Sequence, residues 1–141
     1  MEIRDAVEAD AERMAELTGS PTDVMRNLVH DRTVAVAYEG EPNPDPTADH
    51  PREAEETLGF VSYDAQRETV HVTQIEGTAE ACERLLEEPV RFAAREGMDV
   101  ELLVAVDDDD LQTVAEKAGF EHRGEGPRFE GVRTVRYRTE P

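Results

Sequence analysis

Glu68 and Glu76 flank a strand-like segment, Thr69-Val70-His71-Val72-Thr73-Gln74-Ile75, and are the carboxylates best placed to act as a general base. His71 adds an imidazole to the same segment. Each group also has a plainer reading. With 34 Asp+Glu in 141 residues, a given carboxylate usually coats the surface, and a strand histidine usually makes a local hydrogen bond. Cys82 is the only cysteine, which excludes an intrachain disulfide and a cysteine-based zinc cluster. No Cys-His-Asp constellation accompanies it, so it reads as a small core residue. The histidines (His30, His50, His71, His122) lie in unrelated segments without ligand spacing, and no metal is expected. From 120 to 138, arginine (Arg123, Arg128, Arg133, Arg136, Arg138) outnumbers acid. These arginines either receive an anionic substrate or pair with the acids around them.

The charge balance restricts the partners. Lys+Arg is 15 against 34 Asp+Glu, a net charge of −19, and Lys117 is the single lysine among 14 arginines. Phosphate backbones and anionic lipid surfaces are repelled, so neither nucleic acid nor membrane is an expected partner. The acids are spread along the whole chain and therefore coat a folded surface. At molar salt the Debye length falls to about 3 Å, which relieves their mutual repulsion. Lysine depletion beside this acidity points to the cytoplasm of a salt-accumulating halophile; an ordinary acidic domain is the alternative. The length fits one domain over residues 1–141, no apolar run approaches a membrane span, and Met1-Glu2-Ile3-Arg4-Asp5 is not a signal peptide. A cytoplasmic location is expected.

These groups need elements to hold them. Glu2 to Val7 reads as a strand, and a helix follows with Asp10 as N-cap and Val7, Ala11, Met14 and Leu17 on one face. Ser20-Pro21 opens a second helix, with Ser as cap and an apolar stripe of Met25, Leu28 and Val29. Thr33–Tyr38 is strand-like. Residues 39–57 hold four prolines and seven acids and read as a solvated loop insertion. Leu58–Asp64 and Thr69–Ile75 form a hairpin. A long helix from Thr78 to Glu96 is expected to kink at Pro89. Val100–Val106 reads as a central strand covered on both faces. Asp107–Asp110 start a last helix carrying Leu111, Val114, Ala115 and Ala118, and two strands close the chain. The order β-α-α-β-β-β-α-β-α-β-β gives an α/β fold: a single-domain mixed central sheet with helices on both faces.

Four segments carry a family resemblance: Ile3-Arg4-Asp5-Ala6-Val7-Glu8-Ala9-Asp10, Leu58-Gly59-Phe60-Val61, Leu85-Leu86, and Ala115-Glu116-Lys117-Ala118-Gly119-Phe120. In order and spacing they resemble the GNAT superfamily of N-acetyltransferases over nearly the full length. The resemblance implies transfer of an acetyl or other acyl group from acyl-CoA to an amine of a small molecule or protein, with acetyl-CoA as co-substrate and no metal. Its partners would be acyl-CoA and an amine acceptor, with a homodimer left open.

The resemblance also implies a glycine-rich loop that holds the pyrophosphate through main-chain N–H groups at the start of the long helix. Gln74-Ile75-Glu76-Gly77-Thr78-Ala79 fits the family's Gln/Arg-x-x-Gly-x-Gly/Ala pattern, and places Val72, Gln74, Gly77, Thr78 and Ala79 along the cofactor. Counting back from Leu85-Leu86 instead puts Thr78, Glu80 and Cys82 at the small positions. A carboxylate about 5 Å from a phosphate charge then costs about 3 kcal/mol at an effective dielectric near 20. The family's Tyr-Glu-Lys-Leu-Gly-Phe segment supplies a tyrosine acid where this chain has Ala115, and Tyr63 and Tyr137 are the candidate replacements. A catalytically inactive GNAT-fold binding or interaction module is the alternative function.

Overall fold

The computed structural model describes residues 1–40, 56–128 and 131–140. Seven strands form one mixed sheet: β1 (Glu2–Asp5), β2 (Thr33–Glu39), β3 (Glu56–Gln66), β4 (Thr69–Gly77), β5 (Asp99–Ala105), β6 (Glu121–Glu125) and β7 (Thr134–Thr139). Their spatial order is β1-β2-β3-β4-β5-β7-β6. Only β4 and β5 pair in parallel, joined by a helical crossover; every other neighbouring pair is antiparallel. Among the described residues five α-helices accompany the sheet, α1 (Ala11–Thr18), α2 (Thr22–Asp31), α3 (Ala79–Leu85), α4 (Glu87–Glu96) and α5 (Asp109–Lys117), with a short 3-10 helix at Glu8–Asp10. This is the expected α/β architecture, and the expected element order holds with the long helix in two pieces.

Two cores occupy the two faces of the sheet. Val34, Val36 and Phe60 pack with Ala11, Met14 and Met25 beneath α1 and α2. Val61, Val72, Leu102 and Val104 pack with Leu85, Leu86 and Val114 on the other face. Full burial of each such side chain is worth roughly 1.5–3 kcal/mol. The unbroken small apolar run Val34-Ala35-Val36-Ala37 serves both cores, so β2 is the strand covered on both sides. The same expectation for Val100–Val106 does not hold. Val100, Leu102 and Val104 are buried, whereas Glu101, Leu103 and Ala105 alternate with them on a half-open face.

Local departures have local causes. Asp10 precedes α1, but its carboxylate turns back to Val7 N–H and Arg4 and does not cap the helix. Val7 and Leu17 are exposed, leaving Ala11 and Met14 as the buried positions. Pro21, not Ser20, is the N-cap of α2. The long helix breaks at Leu86, ahead of Pro89, which falls in the first turn of α4 where its missing N–H matters least. Of the expected 39–57 insertion, Glu39 belongs to β2 and Glu56-Thr57 to β3, and residues 41–55 lie outside the described residues. Among the described residues no helix is long and apolar enough to cross a membrane.

Candidate active site

Pairing between β4 and β5 runs from Thr69↔Asp99 to Val72↔Leu102 and stops there. Beyond that rung, β4 is held only by β3, through Gln74, Ile75, Glu76 and Gly77. The end of β5 is held only by β7, from Leu103 to Ala105. The two strands therefore part, and each presents main-chain donors and acceptors to the gap. The bend has a visible source: β4 carries a bulge at Thr73, between Val72 opposite Tyr63 and Gln74 opposite Ser62. Thr73 Oγ1 and Ser62 Oγ lie 2.6 Å apart and fix the bulge to β3.

At the open end lies a cavity of about 160 Å³, lined from β4 and α3 by Ile75, Glu76, Gly77, Ala79 and Cys82. Asp108, Asp110, Leu111 and Val114 line it from the start of α5. Five apolar side chains (Ile75, Ala79, Cys82, Leu111, Val114) share the lining with three carboxylates, and no arginine, lysine or histidine is among these residues. Burial pushes the half-buried Glu76 carboxyl above its ordinary range, and the Asp108 charge adds to the effect. Burial, with Glu76 and Asp108 reinforcing it, pushes the Cys82 thiol up to about 11. Glu76 pairs with Phe60, whose side chain belongs to the core under α1 and α2, so the glutamate sits on that face of the sheet.

The strand-to-helix junction comes next. Gly77 ends β4 at φ +135°, where a Cβ would collide with Leu58 and Gly59 backbone. Thr78 caps α3 by accepting Ala81 N–H, 3.1 Å. The N–H groups of Ala79 and Glu80 have no partner among the described residues, as the first turn of a helix dictates. Glu80 is exposed and is not among the residues that line the cavity.

The structure thus brings Glu76, Gly77 and Ala79 together at the cavity, with Thr78 between them. Gln74 is half-buried on the face of Glu76, opposite Ser62, and Val72 is buried at the last β4–β5 rung. Glu68 is not brought to the cavity: it lies in the turn at the other end of β4, eight residues before Glu76, about 26 Å at 3.3 Å per residue. His71 faces Glu101 across β5, its Nδ1 4.0 Å from Oε1. Tyr63 and Tyr137 are both buried in the core away from the cavity, and burial raises both phenols. Tyr63 sits against Phe92, ring centroids 6.0 Å apart, and Tyr137 reaches Gln112 Oε1 at 3.5 Å. Ala115 is fully buried. Asp108, Asp110, Leu111 and Val114 were legible only as a capped, amphipathic helix start. The parallel crossover from β4 to β5, which sets that start beside Glu76, was the signal for their second role. Among the described residues no His/Cys/Asp/Glu group is arranged to hold a metal ion.

No protein-family model matches the chain, and no curated protein sequence matches it. Solved structures do match. Ribosomal-protein-alanine N-acetyltransferase from Brucella melitensis superposes with a TM-score of 0.73 over 100% of both chains at 15% identity. NAA60 from Arabidopsis thaliana, in complex with a bisubstrate analogue, gives 0.72 over 99% of this chain and 97% of that one at 14% identity. A Desulfovibrio desulfuricans protein assigned to the GNAT family of acetyltransferases gives 0.68 over 99% and 98% at 19% identity. The chain has the GNAT fold. Identities this low establish the fold alone and leave the chemistry to be argued from the site.

Proposed function

We propose that the protein is an acyl-CoA-dependent N-acyltransferase, with acetyl-CoA as donor and an amine of a small molecule or protein as acceptor. One observation carries the reading: the parting of β4 and β5 after Val72 and Leu102, with an apolar-walled cavity and Glu76 at its open end. The freed β4 edge offers amide-binding groups to an extended pantetheine arm, as a sheet edge does to an added strand. The N–H groups of Ala79 and Glu80 offer donors to a diphosphate oxygen. Glu76 accepts the proton that the amine loses on attacking the thioester carbonyl, directly or through water. Its upward shift brings a carboxylate closer to the basicity this task needs. The thiolate leaves without a tyrosine, which is tolerable for a thiol of pKa near 8.5.

The three cavity carboxylates oppose an anionic ligand, and high salt screens that opposition where water reaches them. With the chain charge of −19, this supports a working environment of high ionic strength. Thermal-shift titration with acetyl-CoA in molar KCl tests the proposal: stabilisation is expected, and no response at millimolar ligand removes it. The buried Ala115 and a cavity whose charged lining residues are all acidic favour a second reading, a GNAT-fold binding module without turnover. CoA-dependent acylation of any amine refutes that reading.

A further inference from the structure

Glu76, Asp108 and Asp110 line one cavity, but they are not held alike. Asp108 is the N-cap of α5, and its Oδ1 accepts Leu111 N–H at 3.1 Å. That bond fixes the carboxylate at the cavity wall. It needs an oxygen and not a charge, since asparagine caps a helix about as well as aspartate. The positive end of the helix dipole favours acids here, but Asp109 and Asp110 in the first turn already supply them. The charge at 108 is therefore more than the helix requires. It stands in a cavity that also holds Glu76 and has no arginine, lysine or histidine in its lining to offset it.

We propose, building on the acyltransferase reading, that Asp108 is a positioning residue that acts through Glu76: its fixed negative charge disfavours a second charge there and so draws the amine's proton to Glu76, while it weakens the hold on the anionic acyl donor. Like charges that share a site raise each other's affinity for a proton. Of the elements packed against this part of β4, α3 brings Cys82 and the exposed Glu80, and α5 brings Asp108 and Asp110. On the face that Glu76 shares, α1 carries Glu12, Arg13 and Glu16. Among all of these, Asp108 is the charge that adds to the effect of burial on Glu76. The same charge acts on Cys82 across the cavity. Asp108 is exposed, so salt screens it where water reaches; a seated donor displaces that water and strengthens the coupling.

The test uses the full chain in molar KCl and the variant D108N, which keeps a capping oxygen and removes the charge. Calorimetric affinity for acetyl-CoA, kcat and KM across pH, and the Glu76 carboxyl titration by NMR are read together. D108N is expected to bind acetyl-CoA roughly two- to fivefold more tightly and to lower kcat by a similar factor. The rise of kcat/KM with pH and the Glu76 titration should both move to lower pH. Damage to the α5 start would instead weaken affinity and turnover together. D110N is expected to share the gain in affinity and to leave the Glu76 titration in place, and D109N, outside the cavity, should do neither. D108S, with a shorter capping side chain, serves if D108N does not fold. An unmoved Glu76 titration in D108N, or affinity and kcat falling together, overturns the assignment and leaves the transferase reading intact. A native chain that binds no acetyl-CoA ends the transferase reading, and this inference with it.

Discussion

Gly59 and Gly77 face each other across β3 and β4 with no room for a side chain on either. A Cβ on Gly77 would stand 2.6 Å from Gly59 Cα, and one on Gly59 would stand 2.5 Å from Glu76 O. The glycine that the phosphate-loop pattern singles out is therefore required first by strand packing. Gly77→Ala is expected to cost about 3 kcal/mol or more, since it combines a backbone collision with a φ of +135°. Gly124→Ala, at φ +95° with open space around it, isolates the conformational part at about 1–2 kcal/mol. Denaturant unfolding in molar KCl checks both, and similar costs would show that the collision relaxes.

Glu76 sets stability against activity. Its folded-state carboxyl titrates above the ordinary 4.5, so the folded chain holds that proton more tightly than the unfolded chain. The stability this confers is complete below the unfolded value and is lost as pH rises through the raised folded value. Glu76→Gln is accordingly expected to raise the melting temperature at pH 7, with the gain vanishing at pH 4 and below. The same change should lower kcat about a hundredfold or more if Glu76 is the base. It should also remove the rise of kcat/KM with pH through the Glu76 range. A stabilised variant with undiminished turnover would assign the base elsewhere.

Much of the fold was legible because local signals agreed with it. Thr69–Gly77 alternates and is strand, and Asp108 at the foot of α5 accepts Leu111 N–H as its spacing suggests. The failures have two causes, one local to the chain segment and one set by how distant elements cover the sheet. Asp10 reads as a cap until Arg4 competes for it, and the apolar run at Val100–Val106 does not reveal that Leu103 and Ala105 face an unroofed part of the sheet. The site divides the same way. Glu76, Gly77 and Ala79 are adjacent in sequence and could be read from it, whereas the α5 wall requires knowing where the crossover lands.

The Arg4–Asp10 pair explains the opening segment of the family resemblance. Asp10 is fully buried and takes Arg4 Nη1 at 2.8 Å, Arg4 Nη2 at 2.9 Å and Val7 N–H at 2.8 Å, which ties β1 to the start of α1. Asp10→Ala leaves the part-buried Val7 N–H and a partly buried guanidinium without that acceptor, an expected loss of about 3 kcal/mol. Arg4→Ala should cost a similar amount, and the double variant less than the sum. A surface pair such as Arg26–Glu8, with both partners about half exposed, should matter little in molar salt. Strictly additive losses would show that the two side chains do not act as a unit.

Cys82 offers a probe of the cavity that needs no substrate turnover. Its thiol is held up at about 11 and lines the cavity beneath the α3 start. At pH 8 roughly one thiol in a thousand is ionised, and the thiolate is the nucleophile, so native alkylation by iodoacetamide should be slow and should accelerate sharply on unfolding. The upward shift draws on Glu76 and Asp108 after burial, so Asp108→Asn should speed alkylation modestly even in the folded chain. Acetyl-CoA seated in the gap would cover the sulfur and slow the reaction further, in proportion to its occupancy. Mass spectrometry of the alkylated chain reads all three effects. Alkylation unaffected by saturating acetyl-CoA would place the ligand somewhere other than against Cys82, and the pantetheine path along β4 would have to be withdrawn.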